Sequence, residues 1–539
     1  MKIAMFNIYA AVTLAAIIFT SLREFHMLQL NGYKFPEHMR WMKKNYKRYI
    51  ISFILLFLQL IMLLKGASYI FISSFILFDI YFILENKPGK KFKKPLVYTA
   101  RVKRMMATFF VLIAAFFAAA FWLSNKVHKD GSGDIIKIEW LKLHSPYPYI
   151  LIGSALYLTP ILTVLSNIIN KPIEKAVQNW YINDAKRMLR EAPDLHVIGI
   201  TGSYGKTSMK FYLSELLNSQ YNTLKTPESY NTPMGVVKTI RMQLKPTHEF
   251  FVCEMGARRV GEIAELCNIA HPHDGIITSV GPQHLETFKS IENVVNTKFE
   301  LADSIPENGK IYLSADNELI KNKYSEYKNA VTYGLKDYND YRACDISVSD
   351  RGTEFTVVAP DNSSCRYTTK LLGEHNVQNL LGAIAYCHGC GISLDKLMLP
   401  VKRIAAVPHR LQLIDSGSEL CFIDDAYNSN PSGCKAALNV LGLFNACRIL
   451  VTPGMVELGA KQEELNFQFG KDASKVCDFV ALVGKSQTEP IYKGLVDSGF
   501  PEDKIFVAGG LSEALDKVKA FKTDKKKIVL LENDLPDNY

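Results

Sequence analysis

The segment Thr201-Gly202-Ser203-Tyr204-Gly205-Lys206-Thr207-Ser208 has the makings of a phosphate cradle. Gly202 and Gly205 permit a turn tight enough for successive backbone N–H groups to face one anion, with Ser203 and Ser208 in the same cradle. Lys206 would set a point charge on the outer phosphates of a nucleotide, and Thr207 a hydroxyl ligand on Mg²⁺. The spacing back from Lys206 is GxxGKT rather than the common GxxxxGKT, so an incidental strand-to-helix turn stays open until the surroundings are read.

Those surroundings alternate between apolar runs and helical patterns. Strands are expected at 196–201, 249–254, 275–280 and 310–314, and helices at 205–219, 259–268 and 291–304. This is the pattern of an α/β fold with a parallel sheet and crossover helices, in which ligands bind at the carboxyl ends of the strands. Glu254 ends the second strand, and His284 follows the third within Gly281-Pro282-Gln283-His284. A carboxylate and an imidazole at that edge are natural ligands for the Mg²⁺ ions of nucleotide chemistry. Taken singly, Glu254 also reads as a helix N-cap charge and His284 as a loop histidine.

With TGSYGKTS, EMGARRVGEI, TSVGPQHLETFKSIE and LLGEHNVQNLLGAIA in this order, the chain resembles the Mur ligase family, ATP-dependent enzymes that build the peptide stem of peptidoglycan. Within it the MurF type, which adds D-alanyl-D-alanine, is most similar. The resemblance covers residues 195 to about 515 and implies roles at matching positions. Lys206 and Thr207 would hold the ATP phosphates and Mg²⁺, with Glu254 and His284 as metal ligands. Lys298 matches a lysine that the family carbamylates, giving an anionic group that helps hold a second Mg²⁺. Asn376 and Asn379 would contact the adenine edge, against a plain polar helix start, and Asn231-Thr232 would face the acceptor, against a simple turn. His409-Arg410-Leu411-Gln412 and Asp424-Asp425-Ala426-Tyr427-Asn428-Ser429-Asn430-Pro431 are similar to the MurF-type C-terminal domain. That places Arg410 near the phosphates and Asp425 near the nucleotide.

The elements that position these residues follow a different kind of sequence. Before residue 175, five stretches are apolar enough to cross a bilayer, which takes about 20 residues: roughly 3–22, 49–64, 67–84, 105–123 and 149–169. Lys and Arg crowd the loops 23–48 and 85–104, which predicts both to be cytoplasmic. The hairpin at Lys65-Gly66 and the charge-balanced loop 124–148 then lie outside, and everything after Lys171 is cytoplasmic. The net charge of +10 is mostly a topology signal, which argues against a nucleic-acid partner. Asp79 within a span is a candidate for substrate or ion contact, or for helix pairing.

The expected organisation is a membrane region at 1–170, a linker at 171–194, a central ATP-binding α/β domain at 195–407 and a Rossmann-like C-terminal α/β domain at 408–539. All ten cysteines follow residue 250, on the reducing side, so disulfides are not expected. Cys387 and Cys390 have CxxC spacing but no second pair, which favours ordinary core residues over a metal or redox site.

The expected activity is amide ligation. An acceptor carboxylate attacks the γ-phosphate of ATP to give an acyl phosphate, and an amino acid or dipeptide amine displaces phosphate. Two departures from the family bear on the substrates. Membrane spans stand where soluble members carry a domain that grips the UDP end of a UDP-linked muramoyl peptide. In addition, Val529-Leu530-Leu531-Glu532-Asn533-Asp534 stands where the family usually has a Lys-Gly-Ser type segment. The acceptor is therefore expected to be lipid-linked or delivered at the bilayer. Ligation resembling that of membrane-associated poly-γ-glutamate synthases is the alternative, with an ATP-driven transporter or a non-catalytic scaffold behind it.

Overall fold

The computed structural model describes residues 2–65, 69–86, 95–124, 127–129, 135–137, 147–349, 351–415, 420–426, 429–456 and 458–533. The hairpin at Gly66, the lysines between 87 and 94, most of the loop 124–148, Tyr427, Asn428 and the tail beyond Asn533 lie outside the described residues. The chain forms two units, Met1–Asn179 and Trp180–Leu535.

In the first unit the described residues of each expected apolar stretch are helical. The helices are α1 (Lys2–Leu30), α2 (Phe35–Lys44), α3 (Tyr46–Lys65), α4 (Tyr69–Asn86), α5 (Ala100–Ser124) and α6 (Tyr147–Arg190), with a short antiparallel pair, β1 (Val127–Lys129) and β2 (Ile135–Lys137). Among the described residues, Asn7–Leu30 and Ile152–Arg190 have the length and apolarity to cross a membrane. Tyr9, Phe25, Phe82, Phe109 and Tyr157 form the core between the helices. Asp79 is buried there and accepts a hydrogen bond from Thr13 Oγ1 at 2.5 Å, so it joins α4 to α1 as the helix-pairing alternative expects.

Helix α6 runs through Pro160 and Pro172 to Arg190, so most of the stretch read as a linker is helix. Its last turns place Tyr181, Ile182, Ala185, Met188 and Leu189 on the core of the second unit, a spacing that puts them on one helical face.

The second unit holds two sheets. The first is built from β3 (His196–Thr201), α7 (Lys206–Leu217), β4 (Thr223–Lys225), α8 (Pro233–Gln243), β5 (Phe250–Glu254), α9 (Glu262–Ala270), β6 (Asp274–Ile277), α10 (Leu285–Phe288), α11 (Ile291–Asp303), β7 (Ile311–Ser314), α12 (Glu318–Lys321), β8 (Ala330–Gly334), β9 (Tyr341–Ser349), β10 (Gly352–Val358), β11 (Ser364–Thr369), α13 (Glu374–Gly389) and α14 (Leu394–Arg403). Its strand order is β11-β10-β9-β8-β7-β6-β3-β5-β4, parallel from β4 to β9 and antiparallel at β9-β10-β11. Helices α7, α13 and α14 cover one face, and α8, α9 and α11 the other. Burial on both faces explains why Val197 to Thr201 are all buried and read as one apolar run. After β3 the chain turns first to β4 and β5 on one side and then to β6 on the other. That reversal opens a crevice at the carboxyl end of β3.

The second sheet comes from β12 (Gln412–Asp415), β13 (Leu420–Asp425), α15 (Pro431–Gly442), β14 (Cys447–Thr452), α16 (Gln462–Ser474), β15 (Phe479–Val483), α17 (Lys485–Asp497), β16 (Ile505–Ala508), α18 (Leu511–Ala520) and β17 (Lys527–Glu532). Its order is β12-β13-β17-β14-β15-β16, parallel except at β12-β13. All ten cysteines are free thiols, and Cys387 is buried in α13.

Candidate active site

The crevice is lined first by the loop between β3 and α7. Gly202 (φ 151°) and Gly205 (φ 80°) take conformations that a β-carbon disfavours. A β-carbon on Gly202 would stand 2.2 Å from Thr278 Oγ1, so the residue type is set by contact as well as by torsion. The loop is tied to the end of β6. Ser203 N donates to Ser279 O at 2.7 Å, Ser203 Oγ donates to Gly281 O at 3.1 Å, and Tyr204 OH donates to Pro282 O at 3.0 Å. Lys206 Nζ folds back onto Gly202 O at 2.8 Å and Ser203 O at 3.2 Å. Burial lowers its pKa to about 8, with Arg410 adding to the shift and Glu254 opposing it.

Glu254, 1% exposed, closes the side of the crevice next to β5. Its Oε1 accepts from Thr207 Oγ1 at 3.2 Å and from Asn231 Nδ2 at 3.1 Å, while Oε2 lies 2.9 Å from Lys210 Nζ. Lys210 was not singled out in the sequence reading. Its spacing of four from Lys206, which sets both on one face of α7, was the available signal. Helix α8 and strand β4, which frame Asn231, were also missed, because β4 has only three residues and α8 opens at Pro233 in a segment read as facing the acceptor, with a simple turn as the alternative.

Lys298 is 2% exposed on α11, with Nζ 5.8 Å from the ring centroid of Phe288. Burial pulls its pKa down to about 7, and the charge of Lys206 pulls in the same direction. His284 caps α10 in a left-handed conformation (φ 52°), two residues beyond Pro282.

The two asparagines on α13 differ. Asn376 is buried, with Oδ1 accepting from Tyr212 OH at 2.8 Å and Nδ2 donating to Leu372 O at 2.9 Å, so its amide holds the fold together. Asn379 meets the phosphate loop, with Oδ1 2.6 Å from where a β-carbon on Gly205 would stand. From the turn before β12, the charge of Arg410 is felt by Lys206, Tyr212 and Asp425. Asp425 is buried, accepts from Leu411 N at 3.2 Å and is the ladder partner of Glu532. Burial raises both carboxyls; the charge of Asp425 raises Glu532 further, while Arg410, the Leu411 N–H and a hydrogen bond with Glu532 hold Asp425 back.

The site thus joins a glycine-turned loop, a held carboxylate, a buried amine of lowered basicity and the charge of an arginine from the turn before β12. Two family descriptions match the chain: "Mur ligase middle domain" over residues 200–387 and "Mur ligase, glutamate ligase domain" over 409–532. The chain is 31% identical over 329 residues to the UDP-N-acetylmuramoyl-tripeptide–D-alanyl-D-alanine ligase of Escherichia coli, covering 59% of this chain and 72% of that one. It is 33% identical over 288 residues to the Bacillus subtilis protein of the same name, covering 53% and 62%. The MurF ligase of Thermotoga maritima in complex with ADP superposes with a TM-score of 0.60 at 25% identity, over 66% of this chain and 80% of that one. With its fold, the family descriptions and the Escherichia coli match in agreement, the chain belongs to the Mur ligase family, and within it to the MurF type.

Proposed function

We propose that this chain is a membrane-anchored, ATP-dependent amide ligase that activates an acceptor carboxylate as an acyl phosphate and joins it to an amine in cell-envelope synthesis. The observation that carries the reading is the glycine-turned loop whose Thr207 hydrogen-bonds Glu254 and whose Lys206 lies within the electrostatic reach of Glu254, Lys298 and Arg410. Lys206 and the loop N–H groups hold the β- and γ-phosphates, and Arg410 brings a second positive charge to the transferring group. Asn379 and Asp425 stand toward the nucleotide, with Asn376 supporting α13 behind them. Asn231 orients Glu254 and lies beside the acceptor.

Thr207 Oγ1 and Glu254 Oε1 are two hard oxygen donors facing each other at 3.2 Å. Among the described residues there is no cluster of three or more His, Cys, Asp or Glu that could hold a metal. So few protein ligands suit Mg²⁺, which keeps waters and takes substrate phosphates into its shell. Thr207, Glu254 and His284, with Lys298 as its carbamate, would hold two such ions, which neutralise charge on the transferring phosphoryl group when bound.

The membrane reading rests on the first unit. Phe57, Leu77, Leu84 and Val111 are 64%, 68%, 68% and 66% exposed on helices whose other faces form a packed core. An outward apolar face of this kind matches lipid. A ligase tethered in this way favours a lipid-linked acceptor delivered at the bilayer. The relatives' names propose D-alanyl-D-alanine as the amine and a UDP-linked muramoyl tripeptide as the soluble alternative acceptor.

The test supplies ATP, paired acceptors (UDP-linked and lipid-linked) and a panel of amines to the purified protein in bilayers, with products identified by mass spectrometry. The expected product is an amide formed with one phosphate released per bond. ATP-dependent flux of a solute without any amide product overturns the reading.

A further inference from the structure

Lys210 is one turn beyond Lys206 on α7, and its side chain is 1% exposed. Its ammonium lies 2.9 Å from Glu254 Oε2 and donates to the backbone carbonyl of Glu228. Glu228 has φ 39°, in the left-handed region that non-glycine residues disfavour, so this contact holds a strained link in the segment that carries Asn231. Glu254 is thereby fixed from three sides: Oε2 faces Lys210, while Oε1 faces Thr207 and Asn231.

The charges make a simple count. One buried carboxylate, Glu254, is in the field of two ammonium groups, since its charge also reaches Lys206. Charges this deep are poorly screened by salt. A divalent cation approaching Oε1 therefore meets a site with no net negative charge of its own. The phosphates of a nucleotide supply what is missing.

We propose that Lys210 is the resident counter-ion and positioning residue of Glu254, turning only Oε1 toward the phosphate loop and making divalent-cation binding conditional on bound nucleotide. The proposal rests on the reading of Glu254 as a metal ligand.

The experiment titrates Mn²⁺ into the full-length protein in detergent, with and without ADP, and reads bound ion by electron paramagnetic resonance. The wild type is expected to bind Mn²⁺ at least about tenfold more tightly with ADP than without it. Lys210→Gln and Lys210→Met are expected to bind nucleotide-free Mn²⁺ about tenfold more tightly than the wild type, so that the ADP dependence shrinks. Adding Glu254→Gln to Lys210→Met, which removes both buried charges, is expected to abolish that gain. Equal wild-type affinity with and without ADP overturns the proposal and needs no variant to fold. A gain that survives Glu254→Gln overturns it as well. If Glu254→Gln alone leaves Mn²⁺ binding with ADP unchanged, the metal-ligand reading has failed. If it weakens binding while both Lys210 variants match the wild type, only the counter-ion proposal has failed.

Discussion

The side-chain oxygen of Asn379 lies 2.6 Å from where a β-carbon on Gly205 would stand, so helix α13 is seated directly against the phosphate loop. Gly205 also has φ 80°. Gly205→Ala therefore meets two obstacles, a steric one and a torsional one, and the left-handed conformation alone costs about 1–2 kcal/mol. ADP affinity measured by calorimetry should fall about tenfold or more. Adding Asn379→Ala should relieve the clash and leave the torsional cost, so the double variant should recover part of the melting temperature lost by Gly205→Ala, while ADP affinity stays low because Asn379 is proposed to stand toward the nucleotide. Full recovery would show that contact alone sets the residue type.

Lys206 hydrogen-bonds two backbone carbonyls of its own loop, and those groups can turn to other partners when it is removed. Lys206→Ala should therefore stay folded and lose on the order of 10² to 10³ in turnover, as expected for one preorganised charge at the transferring group. Circular dichroism and the rate of ATP-dependent ligation check the two halves. Near wild-type turnover would remove Lys206 from the chemistry.

Lys298 carries a pH prediction with a definite sign. Its folded pKa of about 7 lies below the lysine value of roughly 10.4 in an unfolded chain. Between those values the unfolded state binds more protons, so this residue makes stability rise with pH. Lys298→Met should raise the melting temperature most at pH 7 and below, with the gain fading toward about pH 10. A neutral amine is also the form that reacts with CO₂. Equilibration with carbon-13 bicarbonate near pH 8 should give a carbamate resonance that is absent from Lys298→Met. A resonance of equal intensity in the variant would assign it elsewhere.

What could be read from the chain varied with how local the signal was. The loop from Gly202 to Ser208 is contiguous, and the apolar run before it reports a strand buried on both faces, so both were legible. The strand end that carries Glu254 followed from the alternation of β and α patterns, whereas His284 lies beyond β6 at the start of the short helix α10. Lys210 was not legible because a buried lysine and a solvated one look alike until the carboxylate it faces is placed by another strand. Asn376 and Asn379 sit in one motif yet point to different tasks, and only the packing of Tyr212 against Asn376 separates them. The linker reading missed that the face carrying Tyr181, Ala185 and Met188 belongs to a helix continuous with the last apolar stretch.

Asp425 and Glu532 face each other on the last rung between β13 and β17. Ser429 Oγ donates to Glu532 Oε1 at 2.7 Å, and the residue is 1% exposed. Burial raises the pKa of both acids, so at least one proton is retained above the usual carboxylate range. The sign follows from folded values above unfolded ones. The pair is best tolerated below about pH 4, where both states are protonated, and it costs stability as pH rises through the raised values. Glu532→Gln keeps the shape and an acceptor for Ser429 while removing the charge. Its melting temperature should exceed the wild type's at pH 8, and the difference should shrink toward pH 4. Asp425→Asn gives the same relief from repulsion, but it should weaken ADP binding if, as proposed, Asp425 stands toward the nucleotide with the charge of Arg410 acting on it. Calorimetry separates the two acids: equal loss of ADP affinity in both variants would mean that Glu532 also faces the nucleotide.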